Sequence, residues 1–182
     1  MNFETTPIPG VFVIHLAPIP DRRGFFARAF CAEEFRARGL NPAVSQTHLS
    51  LNNVRGVLRG MHYQKAPAAE AKLVRCTRGA IFDVAADLRP DSPAYLTWFA
   101  CELSAANRKA MYVPEGCAHG FQALDDNSEV FYQVSYPYTP ELADGFRYDD
   151  PAVGIRWPLP VRVISTRDGA WPPLAVETPK SS

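Results

Sequence analysis

The sequence predicts an all-β fold, either a sandwich or a barrel, on three observations. Short segments rich in Val, Ile, Phe, Tyr and Trp recur between Gly, Pro, Asn and Asp residues, which is the pattern of strands separated by turns. Seventeen prolines are spread through the chain and discourage long helices. With 182 residues, the chain is long enough to bury a substantial core without disulfides, so we predict a single domain over 1–182.

The predicted elements follow one another closely along the chain. One short helix is predicted, AEEFRARG at 32–39, because Gly39 is a typical helix terminator. From about Tyr148 the chain is irregular and rich in proline, and we expect this tail to wrap back over the barrel. The predicted strands are GVFVIHL (10–16), GFFARAF (24–30), AVSQTHLSL (43–51), GVLRGMHYQ (56–64), AKLVRCT (71–77), AIFDVAADL (80–88), YLTWFACEL (95–103), AMYVPE (110–115), GFQAL (120–124) and EVFYQVSY (129–136).

Composition argues against several classes of protein. Nineteen basic residues balance nineteen acidic ones, so a nucleic-acid partner is not expected. No apolar run approaches the roughly twenty residues that span a bilayer, so a membrane protein is not expected either. The N-terminus lacks the profile of a signal peptide, and no CxxC pair occurs among Cys31, Cys76, Cys101 and Cys117. We therefore expect a reduced, cytoplasmic protein.

Two histidines in predicted strands are the first candidate site residues. His62 lies in GVLRGMHYQ, and His119 follows the Pro-Gly turn of VPEGCAHGF. A single strand histidine is more often a hydrogen-bonded structural group than a catalyst, so neither residue is decisive alone. Strict alternation along the first strand assigns two faces, with Arg59, Met61 and Tyr63 on one and Leu58, Gly60, His62 and Gln64 on the other.

The two runs together resemble the conserved motifs of the cupin superfamily. Metal-binding cupins have His-x-His in the first motif, but here the second position is Gln64, and glutamine is a poor ligand for a transition metal. We therefore expect no metal, and a metal-dependent dioxygenase or isomerase on the same barrel is the alternative. The first motif is matched by Gly56, His62, Glu70 and Gly79, and the second by Pro114, Gly116 and His119.

Within the cupins, the chain resembles the dTDP-4-dehydrorhamnose 3,5-epimerase family over nearly its whole length. The resemblance implies a cupin-type jelly-roll β-barrel with short peripheral helices, a homodimer whose strands contribute across the interface, and no cofactor. It also implies inversion of carbons next to the ketone of a nucleotide-linked 4-keto-6-deoxy sugar. The matching pieces are DRRGFF (21–26), SQTHLS (45–50), LRGMHYQ (58–64), KLVRC (72–76), GAIFDVAADLRPDSP (79–93), VPEGCAHGF (113–121), VFYQVSYPYTPE (130–141), YDDPAVGIRWP (148–158) and ISTRD (164–168).

The resemblance assigns the catalytic roles. Inversion next to a ketone needs a base, a group that stabilises the enolate, and an acid on the opposite face. His62 matches the family's base, and Asp168 matches the carboxylate that orients it. Lys72 holds the position that stabilises the enolate oxygen, and Tyr132 matches the acid. Taken in isolation, these last two residues would be interpreted as a solvated lysine and an aromatic core residue.

The resemblance also implies a set of substrate-binding residues. Arg23 and Arg59 match positions that hold the diphosphate, which suits the forked guanidinium. Gln46 and Tyr138 match pocket positions, and the tyrosine offers an aromatic face near the nucleotide base. His119 either assists the oxyanion or the sugar hydroxyls, or makes a structural hydrogen bond.

Three positions depart from the pattern of the thymidine-linked enzymes. Arg28 replaces a glutamate, His48 ends a Gln46-Thr47-His48 run where Gln-Asp-Asn is usual, and Ile19 replaces an aromatic residue. These positions are associated with the nucleotide end of the substrate, so the nucleotide stays open among dTDP, GDP and CDP. The nearest alternative is an epimerase that acts at C3 only or C5 only. A non-catalytic sugar-binding cupin is more remote, because the base, its carboxylate and the acid are all present.

Overall fold

The computed structural model describes residues 1–174, and strands dominate this part of the chain. Neither of its helices is long and apolar enough to cross a membrane. The strands are β1 (Asn2–Thr5), β2 (Phe12–His15), β3 (Ile19–Asp21), β4 (Gly24–Phe26), β5 (Gln46–Asn52), β6 (Leu58–Gln64), β7 (Lys72–Arg78), β8 (Ala80–Asp87), β9 (Trp98–Ser104), β10 (Ala110–Val113), β11 (Cys117–Ala123), β12 (Ser128–Val134) and β13 (Ala143–Gly145); the helices are α1 (Ala32–Arg36) and α2 (Thr166–Gly169).

The strands form two antiparallel sheets that face each other as a jelly roll. One sheet has the order β1-β2-β10-β7-β12-β5 and the other β13-β6-β11-β8-β9, while β3 and β4 make a separate hairpin. The core between the sheets draws on alternate residues of both, including Val74 and Met111 from one and Ile81 and Leu103 from the other. The all-β prediction is confirmed.

Each sheet also has an apolar outer face that the rest of the chain covers. Helix α1 lays Phe35 on the six-stranded sheet against Ile14 and Tyr112. The tail lays Ile155 and Trp157 on the five-stranded sheet. The tail is anchored to that sheet by polar contacts as well, because the side-chain amide of Gln122 exchanges two hydrogen bonds with the backbone of Leu159, at 2.9 and 3.0 Å. The part of the tail up to residue 174 therefore lies over the barrel, as its composition predicted; residues 175–182 lie outside the described part of the chain.

The element boundaries differ from the sequence predictions at short segments. The strand predicted over 24–30 ends at Phe26, and the helix predicted over 32–39 ends at Arg36. Gly39 does terminate the helix: its φ is +70°, and the following N–H of Leu40 donates to the carbonyl of Phe35 at 3.1 Å. Strands β1, β3 and β13 and helix α2 have four residues or fewer, and the sequence patterns did not indicate them.

A bulge in β6 overturns the predicted alternation of that strand. His119 of the neighbouring strand β11 pairs with His62, and Phe121 pairs with Arg59. The step between these two pairs is two residues along β11 but three residues along β6. The extra residue turns Arg59 and His62 to the same face. The assignment of Arg59 to the opposite face from His62 was therefore wrong. Gly60 sits in the bulge with φ of +125°, where an added Cβ would lie 2.6 Å from the Cα of Gly120.

Candidate active site

Three of the four predicted catalytic residues, His62, Lys72 and Tyr132, line two adjoining cavities of about 290 and 560 Å³. His62 enters from β6 in the five-stranded sheet, whereas Lys72 enters from β7 and Tyr132 from β12 in the six-stranded sheet. His48 on β5 completes the set that lines both cavities. The site thus lies between the sheets and receives functional side chains from both.

His62 and Asp168 form a dyad. His62 Nε2 lies 2.7 Å from Asp168 Oδ1, and the other carboxylate oxygen accepts the N–H of Gly60 at 3.2 Å. Asp168 lies in α2, whose first turn is capped by Ser165: its Oγ accepts the N–H of Asp168 at 3.0 Å. The carboxylate is buried, while the imidazole is 40% exposed toward the cavity. The bulge, the short helix and its cap together fix the carboxylate behind the ring.

The electrostatics of the dyad suit a general base. Burial would raise the pKa of Asp168, but the hydrogen bond and charge of His62, with the Gly60 N–H, outweigh it and hold that pKa below its usual value. Asp168 is therefore ionised at neutral pH, and a carboxylate only accepts, so His62 Nε2 is the donor. In the neutral form of the ring, the lone pair then lies on Nδ1.

Lys72 is a buried cation beside the dyad. Its side chain is 9% exposed, and its Nζ lies 3.2 Å from Glu70 Oε1 and 3.5 Å from the carbonyl oxygen of His62. Glu70 was noted only as part of a cupin motif, and its partnership with the lysine two residues later was missed. Lys72 thus places an ammonium group at the cavity wall, and a preorganised cation of this kind can stabilise a developing oxyanion.

Tyr132 presents a protonated phenol to the cavities. Burial raises its pKa, the negative charge of Glu70 raises it further, and Arg59 opposes both effects. The phenol therefore carries its proton throughout the neutral range and can donate it. Its ring is stacked on that of His48, with ring centres 5.0 Å apart and planes 26° apart.

A second histidine–aspartate pair borders the larger cavity, which His119 lines. His119 Nε2 is 2.8 Å from Oδ1 of Asp83, and both side chains are buried. Desolvation raises the pKa of Asp83, against the opposing charges of His119 and Lys72. Sequence reasoning missed Asp83, although a carboxylate within the apolar strand AIFDVAADL is a signal that it has a polar partner. The pair fixes the orientation of the His119 ring in the cavity wall.

The mouth of the smaller cavity holds a chain of polar contacts. Gln46 Oε1 accepts the N–H of Tyr138 at 2.9 Å, and the Tyr138 hydroxyl accepts from Arg167 Nη1 at 3.1 Å. Arg167 was missed, even though it directly precedes Asp168. Arg59 lines the larger cavity, where its Nε donates to Asn52 Oδ1 at 2.8 Å. Two arginines thus border the site.

Arg23 and Arg28 line neither cavity of this chain. Arg23 stands at the turn of the β3–β4 hairpin, pairs with Asp21 at 2.6 Å and is 85% exposed. Arg28 pairs with Glu34 at 3.2 Å. Both residues therefore lie apart from the other predicted substrate-binding residues.

The amide of Gln64 is engaged on both sides. Its oxygen accepts the N–H of Thr139 at 2.6 Å, and its nitrogen donates to the carbonyl oxygen of Ala68 at 2.9 Å. The residue in the second metal-ligand position of the cupin motif thus serves a structural role. Within residues 1–174, no group of three or more His, Cys, Asp and Glu side chains is arranged to hold a metal ion.

Comparison with known proteins agrees with this geometry. The family model described as dTDP-4-dehydrorhamnose 3,5-epimerase matches residues 5–176. A protein of that name from Sinorhizobium fredii is 41% identical over 175 residues, covering 96% of this chain and 90% of the relative. The crystal structure of dTDP-4-dehydrorhamnose 3,5-epimerase from Elizabethkingia anophelis superimposes with a TM-score of 0.92 at 34% identity, covering 95% of this chain and 96% of that one.

A further solved structure has a different printed specificity. ChmJ from Streptomyces bikiniensis, a 3'-monoepimerase in complex with dTDP-quinovose, is 31% identical with a TM-score of 0.85, covering 92% of this chain and 85% of that one. The same fold thus accommodates enzymes that differ in the number of carbons they invert.

Proposed function

This chain belongs to the dTDP-4-dehydrorhamnose 3,5-epimerase family, and we propose from that membership that it inverts C3 and C5 of a dTDP-linked 4-keto-6-deoxy sugar with His62 as base and Tyr132 as acid. It is a sugar-nucleotide epimerase, and the residue roles are our assignment. One observation carries them: His62 and Tyr132 line the same two cavities from opposite sheets. A sugar held between them meets a base on one face and an acid on the other, which is what inversion requires.

Each step uses a group with the required charge. His62 Nδ1 takes the proton from the carbon next to the ketone, and Asp168 stabilises the imidazolium that forms. The electron pair of the broken C–H bond moves into the ketone, and Lys72 stabilises the resulting enolate oxygen. Tyr132 then gives its proton to the opposite face of the carbon. A proton from solvent restores Tyr132, and His62 releases its own, so the reaction is balanced without a redox partner.

The nucleotide end of the substrate is assigned to the basic border of the cavities. Arg59 and Arg167 provide guanidinium groups for the diphosphate, and Tyr138 is 49% exposed and offers its ring to the base. His119 is assigned to the sugar hydroxyls or the oxyanion. The second candidate function is inversion of C3 alone, and it is supported by the name of ChmJ, a 3'-monoepimerase. GDP- and CDP-linked sugars stay as alternatives because Arg28 and His48 depart from the family pattern.

We propose that the working form is a homodimer. The β3–β4 hairpin exposes Ile19 at 66% and Phe26 at 72%, and Leu49 of the edge strand β5 is exposed at 64%. A projecting apolar hairpin and an apolar edge strand are surfaces that association would bury. In such a dimer, Arg23 and Arg28 would contact the diphosphate of a substrate bound in the cavity of the partner subunit. Light scattering should give twice the chain mass of 20.2 kDa, and a monomer at working concentration would refute the dimer.

Two broader expectations accompany the function. We propose one catalytic domain, because Asp168 of the tail completes the dyad on β6. We also propose a cytoplasmic location, which agrees with four cysteines that are all free.

The direct test is proton exchange in deuterated water. The protein is incubated with dTDP-4-keto-6-deoxyglucose and its GDP- and CDP-linked counterparts, and NMR follows the loss of the carbon-bound protons. Exchange at C3 and C5 of the dTDP sugar, with net inversion, is the expected result. Exchange at C3 alone selects the second candidate. The nucleotide whose sugar exchanges fastest identifies the nucleobase that the site prefers. Folded protein that exchanges no proton in any of the three would overturn the substrate assignment.

A further inference from the structure

We propose that His48 is a positioning residue that holds the phenol of Tyr132 for proton delivery. The inference rests on the proposed function, since it needs Tyr132 to be the acid. It starts from the stacked contact between the two rings, which both line the two cavities.

The two rings are paired by the fold. His48 on β5 and Tyr132 on β12 are directly opposite each other in the antiparallel register. Directly opposite residues project to the same face of a sheet with their Cβ atoms about 4.5–5.5 Å apart. The ring planes are 26° apart at a centre-to-centre distance of 5.0 Å, so the imidazole lies face to face with the phenol ring. β5 is the outermost strand of its sheet, so Tyr132 has no further strand beyond His48 on that side. The side chain of His48 projects into the cavities beside the tyrosine.

No hydrogen bond from the described part of the chain holds the phenol. Within residues 1–174, the Tyr132 hydroxyl makes no hydrogen bond, and its charge environment consists of Glu70 and Arg59. The deep part of the ring packs against the core between the sheets. On its cavity side, the Tyr132 ring is therefore held in place by the ring of His48, which also lines both cavities.

Holding the ring matters for the acid step. The proton must travel from the phenol oxygen to one carbon of the sugar, and a misdirected donor lowers the rate of that step with little effect on substrate affinity. Loss of the stack should therefore lower kcat by roughly 3- to 10-fold, which corresponds to about 0.7–1.4 kcal/mol of transition-state stabilisation. An asparagine cannot make this contact, because it has no ring.

Three substitutions separate the ring face of His48 from its nitrogens. His48→Phe keeps a flat ring without nitrogens, His48→Leu keeps apolar volume without a ring, and His48→Asn keeps a polar side chain without a ring. We expect His48→Phe to keep kcat within about twofold, while His48→Leu and His48→Asn lose roughly 3- to 10-fold in kcat with KM little changed. If His48→Phe and His48→Leu lose kcat equally, or His48→Leu keeps full kcat, the positioning role is wrong. A rise in KM alone in all three would also overturn it, by assigning His48 to substrate contact.

A measurement without substrate keeps this inference separate from the function. Stacking on Tyr132 should shift the ring-proton NMR signals of His48 upfield, and Tyr132→Leu should remove that shift; the His48→Phe spectrum assigns the signals. Unshifted signals in the wild type would contradict the stack even if the enzyme is active. If the wild type turns over no nucleotide sugar but the shift is present, the proposed function fails and the stack stands without its catalytic role.

Discussion

His62 and Asp168 are separated by 106 residues, yet His62 Nε2 and Asp168 Oδ1 are 2.7 Å apart. The contact joins a strand of the five-stranded sheet to a four-residue helix in the proline-rich tail. A backbone donor and a helix cap hold the acidic partner: the Gly60 N–H donates to its second carboxylate oxygen, and Ser165 Oγ accepts the N–H of Asp168. Formation of this dyad therefore depends on the tail being folded over the barrel.

The first prediction removes the charge of the dyad. Asp168→Asn should lower kcat by roughly 10²- to 10⁴-fold with little change in KM, because an amide does not stabilise the imidazolium that forms in the deprotonation step. Steady-state kinetics with circular dichroism measure both effects. Asp149→Asn is the matched control, since Asp149 pairs with Arg147 at the surface. A kcat of Asp168→Asn within threefold of the wild type would contradict the base assignment.

The second prediction concerns the bulge in β6. Gly60 and Gly39 both have positive φ, at +125° and +70°. A Cβ on Gly60 would meet the backbone of Gly120 at 2.6 Å, whereas a Cβ on Gly39 has nothing within 4 Å. Gly39→Ala should cost about 1 kcal/mol of the free energy of unfolding, and Gly60→Ala roughly 3 kcal/mol or more. Urea unfolding compares the two, and equal costs would show that the close approach is not limiting.

The third prediction uses a carboxylate outside the site. Burial would raise the pKa of Asp87, but the Arg89 guanidinium at 2.7 Å, with Ser92, lowers it below its usual 3.8. A lowered folded-state pKa stabilises the protein above pH 3.8, and that stability is lost as the pH falls below this value. Asp87→Asn should therefore lose about 1–3 kcal/mol at pH 7 and show a smaller decline in acid.

Urea unfolding at pH 7 and at pH 3 tests this prediction. The difference in unfolding free energy between the two conditions should be smaller in Asp87→Asn than in the wild type. Asp149→Asn should behave as the wild type, because exposed ion pairs contribute little. An unchanged difference in Asp87→Asn would mean that the Arg89 pair does not stabilise the folded state.

The fold was largely predictable from sequence because strand and turn signals are local. The incorrect or missing predictions concern segments whose conformation depends on tertiary contacts. Strict alternation assigned Arg59 and His62 to opposite faces of β6. The bulge that brings them to one face is visible only in the pairing of β6 with β11. Helix α2 has four residues, too few for a periodic pattern, yet it carries Asp168.

The predicted site was incomplete in the same way. His62, Lys72 and Tyr132 could be identified by motif, and the structure brings them together. Asp83 and Glu70 act through contacts with residues already found, so their importance depends on distances that the sequence does not contain. Arg23, which matches the family motif, and Arg28, which departs from it, both lie outside the cavities of their own chain, which no local pattern could indicate.

The central claim is that a base on one sheet and an acid on the other act on opposite faces of the sugar. Comparing His62→Ala with Tyr132→Phe tests it most directly, with deuterium incorporation at C3 and C5 and net inversion both followed by NMR. We predict that His62→Ala incorporates no deuterium, because no group removes the proton. Tyr132→Phe should keep some exchange at one carbon, because His62 still removes a proton, but it should lose full epimerisation. Full epimerisation retained equally by both variants would contradict the account.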